Sequence, residues 1–179
     1  MSTESYLTSE VYERFKAGIE QIATRPNGSF ENQLYFSNVF SLLEQYLYRL
    51  FMGEISSNGH AMTRLSTLNK FQKVTVSISS LLNHGVESYL INAVKNQVWH
   101  RFNDVEVLYK RVMGIQFNVS GILLGKLNIR HHIVHRNGFD LENNPIEISD
   151  VDLRHCIEVV NDFIVDVDKK YYRYKNNLS

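Results

Sequence analysis

The sequence predicts an all-α fold, an up-and-down bundle of about five to seven helices. Apolar residues recur at intervals of three and four over long stretches, which is the spacing of one face of an α-helix. The alternating pattern of a half-buried strand is rare. The 179 residues include two prolines, so few positions are barred from helix interiors.

The first two helices are predicted on either side of a loop. The first begins after Ser9, whose hydroxyl is a favoured N-cap, and its apolar stripe runs to Ile22. Residues 25–28, Arg-Pro-Asn-Gly, predict the loop. The second helix has the clearest pattern, because seven apolar residues share one face that must be buried: Phe36, Val39, Phe40, Leu43, Leu47, Leu50 and Phe51.

Glu44 lies close to the apolar face of the second helix. A carboxylate near a core needs a cation or several hydrogen-bond donors to offset its lost hydration. We therefore expect an arginine partner if Glu44 points inward, and a solvated carboxylate if it lies at the edge of the face.

The middle of the chain gives weaker signals. Asn58-Gly59 predicts a turn, and the apolar residues between positions 65 and 82 predict a third helix. Residues 75–79 alternate like a strand, but the length of the whole pattern favours a helix.

A helix end is predicted at His84-Gly85. Residues 86–98 then restart the helical period, either as a continuation past a kink or as a separate helix. A shorter helix is predicted from Asn103, acting as N-cap together with Glu106, to Gly114.

The last two helices have clear boundaries. Residues 120–135 predict one helix, which ends at Asn137-Gly138 because both residues tolerate left-handed backbone angles. Another begins at Ser149, with Asp152 three residues later as a variant of the capping box. Its buried face is predicted to contain Leu153, Cys156, Ile157, Val160, Ile164 and Val167.

Two features of the last helix are open to a functional interpretation. Cys156 falls inside the apolar pattern, and we interpret it as a core residue rather than a nucleophile. Residues 169–175 are basic and rich in tyrosine. Their rings are suited to stacking on bases, although a frayed amphipathic helix end is the commoner explanation.

The charge distribution is more informative than the total charge. The chain has 19 basic residues, lysine and arginine together, and 19 acidic residues, aspartate and glutamate together. It therefore lacks the basic excess of non-specific nucleic-acid binders. Residues 115–138 nevertheless contain no acid and include Lys126, Arg130 and Arg136, which predicts a local positive patch. The acid-rich residues 140–168 are interpreted as a solvated face.

Several classes of protein are disfavoured by missing patterns. The sequence has no apolar run long enough for a membrane span and no secretory signal, so we expect a cytoplasmic protein without membrane association. It also lacks a phosphate-binding loop, a dinucleotide fingerprint and a cysteine pair for zinc. We therefore expect no cofactor and no metal.

Side chains suited to catalysis are concentrated in residues 128–138, which contain two arginines, three histidines and two asparagines. A helix places His131 and His135 on one face, whereas Arg130 and His135 are about 140° apart. RNA cleavage without a metal requires a base of near-neutral pKa, a cation for the phosphate and an acid for the leaving oxygen, and histidine and arginine meet these requirements. One helix supplies only part of such a site, so two copies across a two-fold axis would complete it.

At these residues the chain resembles the HEPN superfamily, whose signature is an arginine, a polar residue, three variable residues and a histidine near a helix end. Arg130, His131, residues 132–134 and His135 fit this signature. The flanking string, Arg-His-His-Ile-Val-His-Arg-Asn-Gly, is similar to the motif of bacterial HEPN proteins of stress response and phage defence. The helix with Glu44 resembles the first core helix of the family. The resemblance covers roughly residues 34–174, which makes residues 1–33 an N-terminal helical extension of a domain spanning 34–179.

The resemblance implies a metal-independent endoribonuclease, a toxin or defence effector, whose two motifs face one cleft in a homodimer. Its substrate would be RNA, and an antitoxin or defence-system protein would be its partner. Arg130 and His135 would be the catalytic pair, with His131 as the polar helper. The supporting or RNA-binding candidates are Asn128, His132, Arg136, Asn137 and Lys126. The subgroup paired with nucleotidyltransferase antitoxins carries a tyrosine where this chain has Asn137, so regulation by that route is not expected.

Three other interpretations stay open. In the first, Arg130 pairs with Glu44 and the histidines merely decorate a surface helix. In the second, the chain is a non-catalytic HEPN module for dimerisation or for binding RNA or a partner protein. In the third, His131 and His135 hold a metal through their i, i+4 spacing, although no nearby cysteine or glutamate completes such a site.

Overall fold

The computed structural model describes residues 6–25, 28–73 and 75–177, apart from the side chains of residues 80, 81 and 84. Within these ranges the regular structure is α-helical, with one isolated antiparallel bridge between Phe139 and Pro145, so the predicted all-α class is confirmed. None of the described helices is long and apolar enough to cross a membrane. The helices are α1 (Glu10–Ala23), α2 (Ser29–Ser57), α3 (Gly59–Ser66), α4 (Asn69–Gln72), α5 (Ile78–Lys95), α6 (Phe102–Met113), α7 (Gly121–His135) and α8 (Asp150–Asn176).

The chain divides into two compact units. The first comprises Met1–Tyr46 and Asn118–Ser179, and the second is Leu47–Phe117. Helix α2 contributes residues to both units. The domain boundary predicted after residue 33 falls inside α2 and stays a prediction.

Helices α1 and α2 form where the sequence predicts them. Ser9 Oγ accepts a hydrogen bond from the Tyr12 backbone amide at 3.0 Å and so caps α1. All seven residues of the predicted apolar face of α2 are at most 2 % exposed. The loop predicted between these helices includes residues 26 and 27, which lie outside the described residues.

Asp168 on α8 ties the N-terminal segment to the core of the first unit. Its carboxylate is 1 % exposed and accepts hydrogen bonds from the Tyr46 hydroxyl at 2.8 Å and the Ser9 amide at 2.9 Å. The hydroxyls of Ser9 and Tyr6 also donate to it. Burial, together with this carboxylate, raises the pKa of Tyr6. The prediction that the acids of residues 140–168 line a solvated face is wrong for Asp168, because four donors replace the water it loses.

The prediction of one helix over residues 65–82 is wrong. This stretch ends α3 at Ser66, forms the short α4 and leaves residues 75–77 outside any helix before α5 begins. Thr75 and Val76 are β-branched and have low helix propensity. Ile78 and Leu82 are 76 % and 82 % exposed, so burial does not stabilise one long helix here. The split raises the number of helices in the described ranges to eight.

Both glycine helix ends predicted for the second unit are confirmed. Gly85 interrupts α5 with φ 73° and ψ 158°, and Gly114 ends α6 with φ 71°. The N-cap predicted at Asn103 is wrong, because α6 begins at Phe102 and Asn103 lies in its first turn. Phe102 is 4 % exposed, and its burial outweighs the local preference of asparagine for the cap position.

Helix α8 begins where predicted, and five of the six residues of its predicted core are buried, whereas Ile157 is only half-buried. Ser149 and Asp152 form the capping box, with the Asp152 amide donating to Ser149 Oγ at 3.2 Å and the Ser149 amide donating to Asp152 Oδ2 at 3.0 Å. Cys156 is fully buried, and burial raises the pKa of its thiol to about 12, as befits a core residue. The helix continues to Asn176, so the basic residues 169–175 are helical.

Candidate active site

The string that carries the predicted chemistry forms the C-terminal half of α7. The helix begins after Ser120, whose hydroxyl accepts from the Leu123 amide at 3.1 Å. It ends at His135, and Asn137 and Gly138 follow with φ values of 54° and 84°. The predicted stop is confirmed, since this left-handed backbone turns the chain away from the helix.

The first turn of α2 holds the segment that follows α7. Gln33 Nε2 donates to the Ile146 carbonyl oxygen at 2.6 Å, and Asn32 Nδ2 donates to the Ile148 carbonyl oxygen at 3.0 Å. A Cβ at Gly138 would lie 2.8 Å from Gln33 Oε1, which favours glycine there. Sequence reasoning missed both amides, because nothing in a helical pattern shows which loop an amide side chain will reach.

Arg130 forms an ion pair with Glu44 of α2. Arg130 Nη2 lies 3.4 Å from Glu44 Oε1, and the two side chains are 14 % and 25 % exposed. The arginine partner expected for Glu44 is therefore present. Arg130 Nε is buried and donates to no acceptor among the described residues. The pair holds the guanidinium close to the core and leaves one of its donors unused.

His131 and His135 lie side by side on the exposed side of α7. Their ring centroids are 4.6 Å apart, as their i, i+4 spacing predicts. Partial loss of hydration, followed by the positive charges of His135, His132, Arg136 and Arg130, lowers the pKa of His131. The neutral form of His131 is therefore favoured near pH 7.

The remaining predicted site residues differ in how far their side chains are buried. His132 is 9 % exposed and its Nε2 lies 3.3 Å from Asn128 Nδ2, while its Nδ1 is buried with no hydrogen-bond partner among the described residues. Lys126 is also 9 % exposed, with Nζ 5.8 Å from the centre of the Phe36 ring. Arg136, Asn137 and Asn128 are exposed. The structure thus brings His131 and His135 together on the surface and turns His132 and Lys126 inward.

Comparisons with known proteins add no relative. No family model, no curated protein and no solved structure matches the chain. In the part of the chain that the structure describes, no three His, Cys, Asp or Glu side chains are grouped closely enough to hold a metal ion.

Proposed function

We propose that this chain is a metal-independent endoribonuclease of the HEPN type, a toxin or a defence or stress effector. The observation that carries the proposal is the arrangement on α7. An exposed pair of imidazoles, His131 and His135, accompanies an arginine whose guanidinium is anchored by Glu44. These are the groups needed to move protons and to neutralise a phosphate.

In the proposed reaction a neutral imidazole removes the proton of a ribose 2′-hydroxyl, and the 2′ oxygen forms a bond to the adjacent phosphorus. The bond from phosphorus to the 5′ oxygen breaks, and an imidazolium gives that oxygen a proton. The products are a 2′,3′-cyclic phosphate and a 5′-hydroxyl. His135 exchanges the protons, His131 assists as its neutral neighbour, and Arg130 stabilises the charge that builds on the phosphate oxygens.

A second copy of the chain supplies the rest of this site in the proposal. The base and the acid act on opposite sides of the phosphorus, so one His135 from each copy meets the requirement. The face of α7 that carries His131 and His135 also carries Leu124, which is 50 % exposed. A Cβ at Gly121 or Gly125 would meet nothing within 4 Å, so this face is open to the close approach of another helix.

The second candidate is an adaptor function, in which the chain is a non-catalytic module that dimerises or binds RNA or a partner protein. One contact favours it. Arg130 already has a partner in Glu44, which is what a purely structural arginine would show. In that case the exposed face of α7 would bind a second copy or another protein without cleaving RNA.

The deciding experiment is cleavage of total tRNA and mRNA in excess EDTA, with sizing of the products and identification of their ends. We expect wild type to cleave and His135→Ala to be slower by about 10²- to 10⁴-fold, the usual contribution of a general acid or base. His155→Ala is the matched control, because His155 is an exposed histidine on α8. Arg130→Lys should also reduce cleavage, since it keeps the charge and loses the planar fork of donors.

Equal cleavage by wild type and His135→Ala would remove His135 from the proposed site. Intact RNA with every variant, from a protein that is folded and dimeric, would favour the adaptor function.

A further inference from the structure

The end of α8 projects beyond the core of the first unit. Every residue from 169 to 177 is at least partly exposed, whereas Asp168 just before them is 1 % exposed. The helix runs about 12 Å past Asp168, at about 1.5 Å per residue. Packing against a core therefore does not explain the composition of this segment.

This segment concentrates positive charge in a chain whose formal net charge is zero. Residues 169–175 contain four basic residues and no acid: Lys169, Lys170, Arg173 and Lys175. Lys170 pairs with Asp166 at 2.6 Å, one turn earlier. Arg173 and Lys175 are exposed and extend the positive charge to the end of the helix.

Three tyrosines alternate with these cations. The rings of Tyr171 and Tyr174 have centroids 6.1 Å apart, and Lys175 Nζ lies 6.0 Å from the centre of the Tyr171 ring. Tyr172 meets the Tyr6 ring edge-on at 5.9 Å. Aromatic faces that stack on bases, beside lysines and arginines that bind phosphates, are the two components of single-stranded nucleic-acid surfaces.

We infer that residues 169–175 bind single-stranded RNA and add to the affinity of the α7 site. RNA as the ligand rests on the proposed function. A helix that binds a membrane surface needs an apolar face, and residues 169–177 contain no aliphatic side chain. An acidic protein surface would engage the cations but would not use the stacking faces of Tyr171 and Tyr174.

The test measures binding separately from cleavage, with a fluorescein-labelled 2′-O-methyl oligouridine that has no free 2′-hydroxyl to attack. Fluorescence anisotropy over a range of salt concentrations gives the affinity and its salt dependence. For Arg173→Gln/Lys175→Gln we expect the slope of log K against log salt to shrink by about 1.4, or about 0.7 for each phosphate that the variant no longer neutralises. The charge-matched control, Lys16→Gln/Lys110→Gln, removes two exposed lysines elsewhere and should bind like wild type.

A second pair of variants tests the rings. Tyr174→Leu should weaken binding by about 5-fold or more, because one base loses its stacking partner. Tyr174→Phe keeps an aromatic ring and should bind like wild type. Three outcomes would overturn the inference. The affinity of Arg173→Gln/Lys175→Gln could equal that of wild type, or the charge-matched control could weaken binding equally. The third outcome is binding only to vesicles that contain phosphatidylserine. Binding that depends on residues 169–175, without cleavage, would reject the nuclease and support the RNA-binding surface. Cleavage together with binding that does not depend on these residues would support the nuclease and reject the surface.

Discussion

At the scale of single residues, the imidazole pair on α7 has a measurable acid–base property. The pKa of His131 lies below its usual 6.5, through partial desolvation and then through the positive charge of His135 and the other basic neighbours. Replacing His135 with glutamine removes the largest of these electrostatic contributions, so we expect the pKa of His131 to rise toward 6.5. NMR titration of the imidazole nitrogens measures this change.

His155→Gln is the control for that titration, and it should leave His131 unchanged. A His131 midpoint above 6.5 in wild type would contradict the proposed neutral helper. Because the folded state takes up this proton less readily than the unfolded chain, the folding stability linked to His131 is highest above about pH 6.5 and decreases as the pH falls through the lower folded pKa.

Asp168 is expected to be the most sensitive polar residue of the first unit. Asp168→Asn keeps the shape but turns an amide NH₂ toward a site where the carboxylate accepted hydrogen bonds from four donors. We expect a loss of about 3 kcal/mol in the free energy of unfolding, since hydrogen bonds to charged groups contribute about 1.5–3 kcal/mol. Urea unfolding followed by circular dichroism measures it.

Asp166→Asn, two residues earlier on the same helix, is the matched control for Asp168. Its ion pair with Lys170 is partly exposed, so the expected loss is below about 1 kcal/mol. Similar losses in the two variants would show that the buried network contributes no more than a surface pair.

Single residues were predictable where local pattern decides their environment. Glu44 was recognised because a carboxylate beside an apolar face needs a cation, yet the sequence alone did not choose between an arginine partner and water. Asp168 was missed because its partners Tyr6, Ser9 and Tyr46 lie more than 120 residues away in the chain. Such contacts depend on tertiary structure and leave no periodic signal.

At the scale of elements, the capping box of α8 makes a pH-dependent contribution. The Ser149 side chain and then its backbone amide lower the pKa of Asp152 below the usual 3.8. Ser149→Ala should reduce stability by about 1 kcal/mol at neutral pH. The contribution of the carboxylate is fully present above 3.8 and is lost as the pH falls through the folded pKa. Thermal unfolding at neutral pH and at pH 3 measures both; equal destabilisation by Ser149→Ala at the two pH values would contradict the linkage.

The elements were predicted well where a cap or a buried apolar face marks them: Ser9 and Ser149 cap α1 and α8, and the apolar face of α2 is buried. The prediction for residues 65–82 failed because only the first part of the stretch is buried: Leu65 and Leu68 lie in the core, whereas Ile78 and Leu82 satisfy the helical period but are exposed. A helical apolar pattern predicts burial only when another part of the protein packs against that face, and the sequence does not reveal whether such a surface exists. The start of α6 lies two residues before the predicted one for the opposite reason, because Arg101 rather than Asn103 is the N-cap and Phe102 is buried inside the helix.

At the scale of the whole molecule, the proposed site requires two chains. Leu124→Glu places a charge on the open face of α7, so we expect wild type to sediment as a dimer and this variant as a monomer without cleavage activity. Val107→Glu, at a 53 % exposed apolar residue on α6, is the matched control and should leave the dimer intact. A monomeric wild type that cleaves RNA would reject the composite site.

The contact between Ser9 and Asp168 affects how the chain reaches its folded state. Ser9 caps α1 and donates to Asp168, which follows it by 159 residues. At ribosomal rates of about 5–20 residues per second, roughly 8–30 s pass between the synthesis of these two residues. Until then the N-terminal segment has its local cap but not its distant anchor. Residues 6–9 therefore stay accessible to chaperones and proteases until residue 168 has been made, whereas Phe15 of α1 gains its partner Tyr46 much earlier.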